Sequence, residues 1–126
     1  MTLLFVLACS SGKESNPEES VATLPSLATD VQPIFNAQCV RCHGPLPAPE
    51  GLSLAEGSTW LERGSKQVEN MVLVEPGSPD SSYLWLKLTN AHTSMGGYGT
   101  KMPPDADLSA GELGTIEEWI LAGAQP

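Results

Sequence analysis

The chain has 126 residues, with 15 acidic side chains against 6 basic ones and a formal net charge of −9. That length suits one domain with a modest core, and the charge argues against a nucleic-acid partner, because binding would bring like charges together. Eleven prolines and twelve glycines describe a loop-rich unit, which at this size usually needs a staple such as a metal or cofactor.

The chain opens on an apolar run, MTLLFVLA, followed by Cys9. Eight residues are too few to span a bilayer. Val6, Leu7 and Ala8 ahead of Cys9 resemble a bacterial lipobox, although no basic stretch precedes the run. The resemblance implies a signal segment over residues 1–9 and a lipid on Cys9, which would become the mature N-terminus. Residues 10–27 are polar, acidic and poor in apolar side chains, so a flexible linker is expected there. Ser10, where some lipoproteins carry Asp, resembles lipoproteins sorted to the outer membrane. The expected location is therefore the periplasm, on a lipid anchor, with the outer membrane favoured.

A folded domain is expected over residues 28–126. Thr29 or Asp30 can cap a helix with Pro33 in its first turn, and Val31, Ile34 and Phe35 follow at helical spacing. Gly44 and the prolines at 45, 47 and 49 end this element. Residues 51–54 read as briefly extended, 58–63 as a short helical turn, and 71–74 as an extended run closed by Pro76-Gly77. Ser78-Pro79-Asp80 predicts a helix start, with Leu84, Trp85 and Leu88 on its apolar face. Residues 90–104 read as a loop. The last helix is the most sharply written: Ser109 as cap, Glu112 completing a capping box, and Leu108 placed to staple onto Leu113. Leu113, Ile116 and Ile120 share a face beside Trp119, and Gly123 is placed to stop the helix.

Three cysteines, at 9, 39 and 42, do not make a simple disulfide framework. Cys39-Val40-Arg41-Cys42-His43 is the C-x-x-C-H pattern of c-type haem attachment. On a helical turn, residues three and four apart share a face, so both thiols and the imidazole address one object. The thiols can add to two vinyl groups as thioethers, and His43 can ligate the iron. A thioredoxin-like pair lacks its strand-helix-strand surroundings, zinc lacks a second ligand cluster, and a plain disulfide leaves His43 without a role. A sixth iron ligand would be a soft or imidazole donor. The candidates are Met102, Met95 and His92; the two prolines after Met102 stiffen its segment and favour it, while Met95 precedes two glycines and His92 reads as an exposed loop residue.

These residues resemble single-haem, class I-like bacterial cytochromes c, close to the planctomycete-type cytochrome c domain. The likeness runs over residues 31–124, through Val31-Gln32-Pro33-Ile34-Phe35, the haem motif with Gly44, Gly51-Leu52-Ser53-Leu54, Pro76-Gly77-Ser78-Pro79-Asp80, Met102-Pro103-Pro104 and Glu118-Trp119-Ile120. It implies an all-α, cytochrome c-like fold of three to five short helices around one covalent haem c. Met102 would be the distal ligand, and first and last helices would cross with Gly114 permitting close approach. The expected function is a membrane-anchored electron carrier with His-Met ligation that serves a redox partner protein and is not an enzyme. The alternative is a haem subunit of a redox enzyme, or a ligand sensor or peroxidase-like protein.

Overall fold

The structure, a computed structural model, describes residues 22–126; Cys9 and most of the segment read as a linker lie outside the described residues. Three α-helices, α1 (Gln32–Gln38), α2 (Tyr83–Leu88) and α3 (Ala110–Leu121), are joined by loops and short helical turns, and no strand forms among the described residues. This is the expected all-α class, with three α-helices. No helix among the described residues is long and apolar enough to cross a membrane.

The approach to α1 departs from expectation. Ser26, not Thr29 or Asp30, is the cap: its hydroxyl accepts from the Thr29 N–H, and the Asp30 carboxylate accepts from the Ser26 N–H at 2.9 Å. These bonds hold the Asp30 carboxyl below its ordinary range, the Ser26 N–H first and the Thr29 hydroxyl second. Between the cap and α1 lies a widened turn, Leu27–Val31, with hydrogen bonds five residues apart. Pro33 explains the widening, because it has no N–H to give and its ring crowds the carbonyl four residues back.

Behind α1 and α3 lies an aromatic core. Phe35 meets Trp60 edge-on at 5.5 Å, and Trp60 meets Trp119 at 6.4 Å. Phe35, Ile116, Trp119 and Ile120 are fully buried. The Trp119 indole N–H donates to the Gln125 carbonyl at 2.7 Å, which also accepts from the Leu27 N–H at 2.8 Å. One carbonyl thus fastens the end of the chain to the start of the first helical turn. The α3 capping box between Ser109 and Glu112 forms as expected, and Gly123 follows the helix with φ +101°. Gly114 does not serve a close approach: a methyl group there would meet nothing within 4 Å.

Between these helices the chain runs extended at Val72, bridged to Gly64 on one side and Ser82 on the other. That pairing is why α2 starts late. Residues Pro79–Ser81 form a single tight turn, and Ser82 is extended so that Tyr83 and Leu84 can donate to the Val72 and Leu73 carbonyls. Ser78 makes no side-chain cap, and the buried Ser82 hydroxyl instead donates to the Ser78 carbonyl at 2.7 Å. The apolar face of α2 is Tyr83, Leu84, Leu86 and Leu88, with Trp85 only half-buried. The expected turn at 58–63 is reduced to one reverse turn closed by Arg63 onto Trp60.

Candidate functional site

Cys39 closes α1, and the next four residues make one loose helical turn. The Cys42 and His43 N–H groups both donate to the Cys39 carbonyl, at 3.1 and 2.8 Å. This brings Cys39, Cys42 and His43 to the wall of one cavity. Gly44 follows necessarily, since a Cβ there would lie 2.7 Å from the Val40 carbonyl oxygen.

The His43 imidazole is oriented by a bond that its motif does not show. Its Nδ1 lies 3.0 Å from the Leu52 carbonyl, and against a carbonyl it must be the donor. The proton therefore sits on Nδ1, and Nε2 keeps its lone pair for a metal. The Leu52 loop is itself tied down. Leu54 accepts from the carboxamide of the buried Gln32 at 2.8 Å and donates to the His43 carbonyl at 2.7 Å. The Arg63 guanidinium donates to the Glu50 and Gly51 carbonyls.

Cys39, half-buried, and Cys42, exposed, form no disulfide with each other. Burial pushes the Cys39 thiol up to about 11, and the nearby Glu112 carboxylate adds to the rise. A disulfide-exchange cysteine needs the opposite shift, towards thiolate. Among the described residues no three His, Cys, Asp or Glu side chains gather to hold a metal ion.

The cavity has a volume of about 440 Å³. Leu54, Leu73, Leu84 and Leu88 supply apolar wall, and the half-buried Met102 lines the same space. The three candidates for a sixth ligand are separated by the fold. Met95 is 52% exposed and off the cavity wall. His92, expected to be exposed, is fully buried, does not line the cavity, and lies with Nε2 3.0 Å from the Gly99 carbonyl. It is buried because the short turn His92–Met95 packs under the loop that follows, with the Gly97 N–H donating to the His92 carbonyl at 2.9 Å.

A haem fits this site by size, polarity and donor set. The volume is that of a ligand pocket, the walls are largely apolar with five leucines among them, and an imidazole, a thioether and two adjacent thiols face it. Arg41, Arg63, Lys66 and Lys87, four of the chain's six basic residues, also line it; they complement a flat apolar group that carries carboxylates. His43 and Met102 would hold the iron, and Cys39 and Cys42 the macrocycle.

A family model described as Planctomycete cytochrome C matches residues 39–106, the stretch that contains every one of these donors. No curated protein matches the chain. No solved structure matches it either.

Proposed function

The chain belongs to the planctomycete cytochrome c family, whose cofactor is a covalently bound haem c, and from that premise we propose that it is a periplasmic, membrane-anchored electron carrier with His43 and Met102 as axial ligands. The observation that carries this reading is the meeting of Cys39, Cys42, His43 and Met102 at one apolar cavity. When bound, the haem supplies one-electron exchange between ferrous and ferric iron, and a thioether ligand raises its potential. The protein's part would be to hold the iron with His43 and Met102 together, so that it takes no substrate. His43 does this from a backbone turn, with its tautomer set by Leu52. The five leucines of the wall would give the haem an apolar surround, which limits reorganisation on electron transfer. Cys42 is exposed, so a redox partner can approach on that side. Cys9 would carry the lipid and residues 10–27 the tether.

The test compares two methionine variants of the holoprotein. Met102→Ala should lose the weak far-red sulfur-to-iron band of the ferric state, lower the reduction potential and admit carbon monoxide to the reduced iron. Met95→Ala should leave all three unchanged. Loss of the band in Met95→Ala alone overturns the assignment of Met102, and rapid stoichiometric carbon monoxide binding by the wild type overturns the carrier reading. The anchor is tested separately by mass spectrometry of native protein, where an unmodified Cys9 removes it.

A further inference from the structure

Three successive carbonyls of the loop before Met102 are taken by two side chains. The Lys87 ammonium donates to the Tyr98 and Thr100 carbonyls, at 2.8 and 2.9 Å, and His92 Nε2 pairs with the intervening Gly99 carbonyl at 3.0 Å. The Met102 N–H then donates to the Lys87 carbonyl at 3.0 Å. That carbonyl belongs to the last turn of α2, where backbone acceptors have no partner inside the helix. Lys87 therefore grips the loop at both of its ends, by its side chain and by its backbone. A fifth tie is weaker: the Tyr98 N–H lies 3.3 Å from the Gln67 carboxamide oxygen.

Packing alone explains neither residue. His92 is fully buried with Nδ1 lacking a hydrogen-bond partner among the described residues. An apolar side chain would fill that space without stranding a polar atom; what it would not do is bind the Gly99 carbonyl. Lys87 is half-buried at the cavity wall, where loss of hydration lowers its ammonium below the ordinary range. Its charge is held there against that cost by two carbonyls. Gly99, between the two carbonyls that Lys87 holds, takes φ +82°, a left-handed conformation that glycine adopts without steric cost.

We infer that Lys87 and His92 are positioning residues that clasp the 98–100 carbonyls and so hold the Met102 thioether at the iron. The inference rests on the reading of Met102 as axial ligand. A thioether is a weak donor, and a loop that had to be ordered each time it bound would surrender the iron to competitors. With the loop fixed to α2 beforehand, the thioether competes as part of the wall.

The experiment uses ferric holoprotein and two readouts: affinity for added imidazole, and loss of the far-red band on heating, compared with loss of helical circular dichroism. Lys87→Met and His92→Phe should each bind imidazole about tenfold more tightly or better, the worth of one charged or buried hydrogen bond. Each should lose the band well below its unfolding temperature. Lys87→Arg and His92→Gln keep a donor at the same reach and should restore both readouts. If Lys87→Met does not fold, the His92 pair decides. Unchanged imidazole affinity in Lys87→Met and His92→Phe, or band and fold melting together without rescue, overturns the clasp while Met102→Ala still loses the band. If Met102→Ala keeps the band, the ligand reading fails and the clasp falls with it.

Discussion

Phe35, Trp60 and Trp119 meet ring against ring behind α1 and α3, whereas the cavity walls at residues 50–54 and 98–102 are fastened carbonyl by carbonyl to Gln32, His43, Arg63, Lys87 and His92. The first region buries apolar surface against itself, with the Trp119 bond to the Gln125 carbonyl at its edge. The second lines a cavity of about 440 Å³, so its loops have less of one another to pack against. Polar side chains hold them by taking backbone acceptors that would otherwise be stranded. A chain with few residues to spend builds one half as a core and the other as a frame.

The largest effect should come from removing what the frame surrounds. Cys39→Ala with Cys42→Ala should yield no covalent holoprotein, and hydrogen exchange should show protection lost over residues 84–104 before residues 110–121. Uniform protection in both regions would erase the distinction between core and frame. Next, Trp119→Ala attacks the core directly. It removes a fully buried ring and its bond to Gln125, and should cost about 3–5 kcal/mol in chemical denaturation. Gln32→Met tests the frame at similar volume. It strands the Leu54 carbonyl and should cost about 1–3 kcal/mol, with the added sign of a disturbed His43 environment in the nuclear resonance spectrum.

Smaller effects belong to the ends and the surface of α3. Ser109→Ala should cost about 1 kcal/mol as a lost cap. Its partner adds a pH dependence. The Ser109 N–H, followed by the Gln38 carboxamide, holds the Glu112 carboxyl below its ordinary value of 4.5. A depressed carboxyl contributes stability above its unfolded value and loses it as pH falls through the folded one. The gap in melting temperature between wild type and Glu112→Gln should therefore be present at neutral pH and close in acid. Gly114→Ala, with open space around the new methyl, should stabilise α3 by about 0.5–1 kcal/mol; destabilisation there would mean that the helix has a neighbour the structure does not show.

Features written within four or five residues were legible before folding. The C-x-x-C-H turn, the Ser109–Glu112 capping box and the Gly123 stop depend on spacing along one helical turn, and that geometry travels with the covalent chain. The same reasoning failed where a distant segment competed for the local one. Ser78 looked like a cap, but Ser82 had to stay extended to let the chain pair with Val72. Thr29 and Asp30 looked like caps until the widened turn ahead of Pro33 moved that role to Ser26. Gly114 was given a crossing that leaves it in open space.

By itself, then, the sequence determined the all-α class, the family and the haem motif, because each rests on residue types in fixed order. Only the tertiary structure decided which side chains serve that motif. The Leu52 carbonyl behind His43 is nine residues away in the chain, and the Gln32 grip on Leu54 spans 22. His92 read as exposed because loop composition gives no sign of burial, and it became the partner of Gly99 only when the turn His92–Met95 folded beneath the next loop. A carbonyl is present at every residue and carries no signature in the sequence; which one needs a donor is settled only by where the folded chain places it away from water.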